Sequence, residues 1–207
     1  MSARDEVLGR VRAALGAGGV VPEVPRAYHQ AGERDGDPVA RFCERAADYR
    51  ATVRRVAAAD VGAAVAEACA ARGARRLAVP PAAGWEAIEG LELVRDDPPL
   101  AWAELGALDG VLSGCALAIA ETGTIVLDGG PRSGRRALTL VPDYHVCVVE
   151  ADAIVPGVPD GIAALAEAAA DGRPITFVSG PSATSDIELV RVEGVHGPRT
   201  LDILVAE

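Results

Sequence analysis

The sequence contains no lysine and no asparagine, so all 20 of its cationic side chains are arginine. Without lysine, the chain cannot form a lysine Schiff base, attach pyridoxal phosphate or supply the lysine of a phosphate loop. Aromatic residues make up only 3% of the 207 residues, so few side chains could stack on nucleic-acid bases. These absences exclude several classes of cofactor enzyme and argue against base recognition.

Positive charge is also scarce, because the formal net charge is −10 and the isoelectric point is near 4.8. Nucleic acids and anionic membranes attract positively charged surfaces, so we expect neither as a partner. The amino-terminal segment MSARDEVLGR is charged, and no run of about 20 apolar residues occurs. We therefore expect no signal peptide, no membrane span and a cytoplasmic location.

The four cysteines are widely spaced and form no CxxC motif. Zinc knuckles and iron–sulfur clusters need closely spaced thiolate ligands, so we expect no metal and no cluster in this chain. Free cysteines often behave as small buried apolar residues. We predict that role for Cys43, Cys69, Cys115 and Cys147.

Apolar residues at helical spacing predict several helices. The first would be amphipathic and could dock on a partner, and a Gly- and Pro-rich linker follows it up to residue 37. Asp37-Pro38 has the form of a helix start, while Asp60 and Gly73 have the form of a cap and a stop. The predicted helices run over Ser2–Leu15, Asp37–Val56, Asp60–Gly73 and Pro159–Ala170.

Short apolar runs alternate with these helices and with Gly- and Pro-bounded stretches. Such alternation predicts an α/β fold with a mostly parallel sheet that is covered on both faces. We therefore predict one domain over residues 37–207, preceded by a helix and linker over residues 1–36. The predicted strands are Leu77–Val79, Leu91–Val94, Ile125–Leu127, Val146–Val149, Ile175–Val178 and Leu201–Val205.

The residues Glu121 to Thr124 connect two apolar runs and predict a tight turn. The carboxylate of Glu121 could be a nucleophile, a general base or an anchor for the backbone amides of the turn. Thr122, Gly123 and Thr124 are candidate ligand contacts in the same turn.

The segment GGPRSGRR begins at Gly129 and resembles a phosphate loop in its glycine spacing. Arg135 stands where that motif needs lysine, and Arg136 stands where it needs a metal-binding serine or threonine, so we exclude ATP or GTP hydrolysis. Guanidinium groups bind carboxylates and phosphates through paired hydrogen bonds. Arg132, Arg135 and Arg136 could therefore form an anion clamp, although a solvated basic loop would have the same composition.

Two histidines stand in segments that could carry chemistry. His145 follows Asp143 at the start of a predicted strand, where it could be an acid/base residue or a structural histidine. His196 lies between glycines and a proline, and rigid loops of this kind often carry functional groups. Both are candidates for proton transfer.

The segment SGPSATSDIE follows a predicted strand and crowds hydroxyl groups into a short loop. Free amides and hydroxyls beyond the carboxyl end of a strand can form an anion cradle, and ligands of open α/β sheets gather at that edge. The candidate ligand contacts in this loop are Ser179, Gly180, Ser182, Thr184, Ser185 and Asp186.

Four segments, IAETGTIVLD, RRALTLVPDYHVCVV, SGPSATSDIE and RVEGVHGPRTL, occur in this order and closely resemble the LUD-domain family. The resemblance covers residues 37–207. It implies a Rossmann-like, three-layer α/β/α fold akin to CoA transferases, ribose-5-phosphate isomerase and 5-formyltetrahydrofolate cyclo-ligase.

The resemblance further implies oxidation of L-lactate to pyruvate together with two iron–sulfur partners, lactate utilization proteins A and B. The implied clusters belong to those partners, because this chain lacks cluster-binding cysteines.

Three hypotheses follow. The chain could be an accessory subunit that holds a small anion at the ETGT, arginine and SGPSATSD loops. It could instead be a stand-alone CoA-transferase-like or isomerase-like enzyme, with Glu121 as nucleophile or base and His145 or His196 in proton transfer. A regulatory anion-binding module is the third possibility.

Overall fold

The structure is a computed structural model, and it describes residues 2–16, 23–32, 35–184, 192–194 and 196–207. Ser185 and Asp186, both predicted as ligand contacts, lie outside the described residues. The helices are α1 (Ala3–Leu15), α2 (Pro38–Asp48), α3 (Val61–Arg72), α4 (Trp102–Gly106), α5 (Val158–Ala164) and α6 (Ala166–Ala170). The strands are β1 (Thr52–Val56), β2 (Arg76–Val79), β3 (Glu92–Arg95), β4 (Gly110–Gly114), β5 (Leu117–Ile119), β6 (Thr124–Leu127), β7 (Tyr144–Glu150), β8 (Ile154–Val155), β9 (Thr176–Val178), β10 (Ala183–Thr184), β11 (Val192–Glu193) and β12 (Thr200–Ala206).

Six parallel strands form the central sheet in the order β1-β12-β7-β4-β2-β3. The interior strands β7 and β12 are buried along almost their whole length. Strands that are covered on both faces need apolar residues at consecutive positions, which explains why both strands are mostly apolar, although they also bury His145 and Asp202. The predicted α/β class with a parallel sheet is confirmed.

The two faces of the central sheet pack against different layers. Tyr144, Val146 and Val148 of β7 pack with α3. The alternate residues Cys147 and Val149 pack with α2 and with a second sheet, because successive side chains of a strand point to opposite faces. The second sheet has the order β8-β5-β6-β9 and contains antiparallel pairs, which the sequence pattern did not predict.

The predicted long helix is wrong beyond Asp48. Arg50 adopts a left-handed backbone conformation (φ 71°), and residues from Thr52 onward form β1, which pairs with β12. Val53 and Val56 lie three residues apart, a spacing that a helix also satisfies, so the pattern did not separate the two structures. The predicted start is confirmed, since Asp37 accepts a hydrogen bond from the backbone nitrogen of Val39 at 2.8 Å.

The other helix ends follow from local chemistry. Gly73 ends α3 in a left-handed conformation (φ 70°), as predicted from its position. The predicted helix of residues 159–170 is divided at Leu165 into α5 and α6.

The amino-terminal helix α1 is exposed along almost its whole length. Ser2 and Asp5 form a reciprocal capping box, which satisfies two of the free donors at its start. None of its residues is buried, and Val7, Val11 and Leu15 are exposed. Within the described ranges, no helix combines the length and apolar character that crossing a membrane requires.

Candidate anion-binding site

A cleft of about 380 Å³ lies where the second sheet meets the amino-terminal end of the central sheet. His145 and Leu201, the second residues of β7 and β12, are paired in register and form part of its wall. Six sequence-predicted site residues line the cleft, namely Arg136, His145, Ser179, Gly180, Ser182 and His196.

The location of the cleft differs from the expected edge of the sheet. The loop that begins at Ser179 does follow a strand, but that strand is β9 of the second sheet. Its carboxyl end meets the amino ends of β7 and β12, where His145 and Leu201 stand. The loop thus lines the cleft, but it lies at the amino-terminal edge of the central sheet and not at the carboxyl-terminal edge, where the general rule for open parallel sheets places ligands.

His145 is only 2% exposed, and its Nε2 lies 2.7 Å from the hydroxyl oxygen of Ser113. The Ser113 hydroxyl also donates to the carbonyl of Gly114 at 2.9 Å. Burial, assisted by the nearby charge of Arg136, lowers the pKa of His145 to about 4. The imidazole is therefore neutral near pH 7.

Asp143 does not pair with His145 as an acid/base group. Its carboxylate accepts hydrogen bonds from both the backbone and the guanidinium of Arg199. These hydrogen bonds hold the pKa of Asp143 below its ordinary value. The partner of His145 is instead Ser113, which sequence reasoning missed because a serine within an apolar strand carries no recognisable motif.

Arg136 is the only one of the three predicted clamp arginines in the cleft wall. Its Nη1 donates to the carbonyl and hydroxyl oxygens of Thr139 at 2.8 and 3.1 Å, and its Nη2 donates to the carbonyl of His196 at 3.0 Å. All of these acceptors are neutral, and no carboxylate pairs with Arg136 in the part of the chain that the structure describes. Partial burial lowers the pKa of this guanidinium.

Arg132 and Arg135 lie outside the cleft, because other carboxylates hold them. Arg132 donates to Glu150 at 2.8 Å on the surface. Arg135 donates two hydrogen bonds to the buried carboxylate of Asp96 and a third to the carbonyl of Leu100.

The loop after β9 is fixed by hydroxyl and backbone contacts. The Oγ of Ser179 lies 2.7 Å from the hydroxyl oxygen of Thr124, which in turn lies 2.7 Å from that of Thr122. Ser182 accepts a hydrogen bond from the backbone nitrogen of His196 at 3.1 Å, so it ties this loop to the histidine turn. Thr122 and Thr124 thus connect to the cleft through Ser179 and do not line it.

Gly180 is required by its surroundings. Its φ of 116° disfavours any other residue, and a Cβ at this position would lie 2.5 Å from the carbonyl oxygen of Tyr49. The close approach of this backbone to Tyr49 sets the position of the loop above the cleft.

Glu121 and Gly123 contact helices outside the cleft. The Oε2 of exposed Glu121 accepts a long hydrogen bond, 3.4 Å, from the backbone nitrogen of Val158 at the start of α5. A Cβ on Gly123 would lie 2.3 Å from the backbone nitrogen of Ala46 in α2. Neither residue lines the cleft. The backbone of Thr184 lies in β10, which pairs with β11.

All four cysteines are free thiols, and three of them are buried. Burial raises the pKa of Cys69 to about 11. Among the described residues, no group of three or more His, Cys, Asp or Glu side chains is arranged to hold a metal ion.

Comparison with known proteins places these features in a family. The family model described as the LUD domain matches residues 101–206. A protein named lactate utilization protein C from Deinococcus radiodurans is 52% identical over 167 residues, which cover 80% of this chain and 77% of that protein. Its namesake from Halalkalibacterium halodurans is 38% identical over 93 residues, which cover 43% of this chain and 40% of that protein.

A solved structure shares the fold. The crystal structure of a DUF162 family protein from Deinococcus radiodurans superposes with a TM-score of 0.69 at 42% sequence identity. The match covers 82% of this chain and 96% of that chain.

Proposed function

The chain belongs to the LUD-domain family, and we propose that it takes part in lactate utilization by binding a small carboxylate in the cleft beside Arg136 and His145. The observation that carries this proposal is the partly buried Arg136 guanidinium, which has only neutral acceptors among the described residues. A charge removed from water without a counter-charge is unfavourable, and an anionic ligand would compensate it.

The donors that remain on Arg136 suit a carboxylate. Its Nε–H and its second Nη2–H have no partner within the described residues, because the contacts with Thr139 and His196 engage Nη1 and one Nη2 proton only. His145 is neutral near pH 7, so Arg136 is a positive charge without a carboxylate partner among the described residues of the cleft. A single charge of this kind matches a monocarboxylate such as lactate or pyruvate better than a dianion.

The cleft also has a suitable size and lining. About 380 Å³ falls within the ordinary range for small-molecule sites. Apolar side chains of Leu127, Phe177 and Leu201 line it together with the polar groups. A small organic acid can therefore place its carboxylate on the guanidinium and its carbon skeleton against the apolar wall.

We assign the chain an accessory role beside iron–sulfur partner proteins, in which this subunit holds the organic acid and its partners carry the redox clusters. The four cysteines are scattered and unsuited to cluster binding, in agreement with that division. The exposed apolar residues of α1 provide a surface that a partner could cover. Such an assembly predicts that the purified chain is free of iron and co-purifies with an iron–sulfur protein.

Calorimetric titration with L-lactate, pyruvate and propionate tests the carboxylate site. Hydrogen bonds to charged groups contribute about 1.5–3 kcal/mol, so Arg136→Gln should weaken binding of all three acids by at least about tenfold. Arg132→Gln is the matched control, because Arg132 pairs with Glu150 outside the cleft. Equal affinity in the Arg136→Gln and wild-type proteins, or no binding of any acid by the wild type, would refute the proposal.

A further inference from the structure

Ser113 and His145 form a buried contact at the wall of the cleft. Ser113 is fully buried, and its hydroxyl has one proton to donate. That proton is directed to the carbonyl of Gly114 at 2.9 Å. With that proton on Gly114, the 2.7 Å contact with His145 is a hydrogen bond for the tautomer protonated at Nε2, which donates to the serine oxygen.

This arrangement leaves a lone pair on the second ring nitrogen of His145. In a neutral imidazole one nitrogen carries the proton and the other accepts, and which is which depends on the partner of the first. Nδ1 has no hydrogen-bond partner in the described part of the chain, and the His145 ring lines the cleft. The lowered pKa keeps the ring neutral near pH 7, so Nδ1 retains its lone pair and can accept a hydrogen bond.

We infer that Ser113, acting through His145, makes the cleft prefer a small carboxylate that bears a hydroxyl group over the analogue that bears a keto group. The inference rests on the proposed function of the cleft as a carboxylate site. With the carboxylate on Arg136, a hydroxyl of the ligand donates to Nδ1. A keto oxygen at the same place is itself an acceptor, so it meets the lone pair of Nδ1 without a proton between them.

The expected preference arises because a keto acid leaves Nδ1 of His145 without a hydrogen-bond donor, and not because the two acids differ in size. Lactate and pyruvate differ little in volume and carry the same charge, so Arg136 alone cannot distinguish them. A site built to bond a hydroxyl rejects the analogue that lacks it, because its own polar group is then left desolvated and unpaired. Ser113 touches no ligand in this scheme and is a positioning residue.

Binding measurements on the wild-type chain, Ser113→Ala and Ser133→Ala test the inference. The probes are L-lactate, pyruvate and propionate, of which propionate has neither hydroxyl nor keto group. Ser133 is the matched control, since it is similarly buried but bonds Asp128 outside the cleft. We expect the wild type and Ser133→Ala to bind lactate about tenfold more tightly than pyruvate, and Ser113→Ala to reduce this ratio to about threefold or less with propionate affinity unchanged.

The outcomes separate the two proposals. If propionate and the other acids bind but the wild type does not discriminate lactate from pyruvate, the hydroxyl preference is wrong and the carboxylate site stands. The hydroxyl preference is equally wrong if Ser113→Ala retains the wild-type ratio. If no acid binds, the carboxylate site itself is wrong.

Nitrogen NMR of the histidine side chains provides a test that needs no ligand. The chain has only three histidines, so His29→Gln and His196→Gln assign the remaining signals to His145. We expect the wild type to show a neutral ring protonated at Nε2, and Ser113→Ala to show a mixture of the two neutral forms. A wild-type ring protonated at Nδ1 would overturn the inference even if Ser113→Ala failed to fold.

Discussion

Arg135 and Asp96 form a two-pronged ion pair, in which Nε donates to Oδ2 at 2.7 Å and Nη2 donates to Oδ1 at 2.8 Å. Asp96 is only 4% exposed, so this arginine neutralises a carboxylate that has left water. The next residue, Arg136, has no such partner among the described residues. Two adjacent arginines thus have separate roles, one in stability and one in the proposed ligand site.

Replacing Arg135 with glutamine should destabilise the fold and leave the cleft intact. Loss of this guanidinium leaves the buried Asp96 carboxylate without its counter-charge. Breaking a buried ion pair costs about 3 kcal/mol, and we expect a smaller loss here because Arg135 is partly exposed. Urea unfolding measures the change in the free energy of unfolding. Arg132→Gln, which breaks an exposed pair with Glu150, should cost less than about 1 kcal/mol. Equal losses in the two variants would contradict this assignment.

Thermal unfolding in the presence of ligand should also distinguish Arg135 from Arg136. Here the substitution of Arg136, and not that of Arg135, should change the result. A ligand that binds only the folded state, present at about 100 times its dissociation constant, adds about 2.7 kcal/mol to the free energy of unfolding. L-lactate should therefore raise the melting temperature of the wild type and of Arg135→Gln by similar amounts. Arg136→Gln should lose most of the shift. A full shift in Arg136→Gln would show that lactate binds elsewhere.

Local patterns in the sequence predicted those parts of the fold that depend on neighbours along the chain. The apolar runs of β7 and β12 and the glycine stop after α3 are examples, since each follows from burial or backbone conformation at a few consecutive residues. The strand β1 was missed because its short apolar pattern also fits a helix. Only its pairing with β12, far along the chain, decides the matter.

The candidate site also depends on contacts between residues that are distant in sequence, which local patterns do not predict. The sequence singled out Arg136 and His145, but it treated Arg135 as equal to Arg136. Their difference depends on Asp96, which is distant in sequence. Ser113 could not be found from a local pattern either, because it meets His145 only through the register of β4 against β7.

Gly180→Ala should disrupt the loop that borders the cleft. The new Cβ would lie 2.5 Å from the carbonyl oxygen of Tyr49, in addition to the strain of a positive φ. We expect a loss of about 1–3 kcal/mol from the free energy of unfolding and weaker binding of L-lactate. Gly172→Ala is the matched control, because Gly172 also has a positive φ (68°) but has open space where the new methyl group would lie. If both variants lose the same free energy of unfolding and bind L-lactate equally well, the close approach to Tyr49 does not determine the position of the loop.

Glu121→Gln should change neither lactate binding nor the fold appreciably. Its carboxylate is exposed and, among the described residues, accepts only a 3.4 Å hydrogen bond at the start of α5, so the expected loss of stability is below about 1 kcal/mol. Calorimetric titration and urea unfolding measure the two quantities. A Glu121→Gln protein that loses binding would instead favour the CoA-transferase-like hypothesis, in which this glutamate is the nucleophile or base.

The buried imidazole of His145 should make the protein less stable as the pH falls from about 6.5 to 4. The folded chain takes up the His145 proton only near pH 4, whereas the unfolded chain takes it up near 6.5, so the unfolded state binds more protons between these values. Acid therefore favours unfolding, by an amount on the order of 3 kcal/mol at the lower limit. Urea unfolding at several pH values measures how the free energy of unfolding depends on pH. In this range the dependence should be weaker for His145→Gln than for the wild type. His29→Gln, which changes an exposed histidine, should retain the wild-type slope. An unchanged slope in His145→Gln would show that the acid sensitivity has another origin.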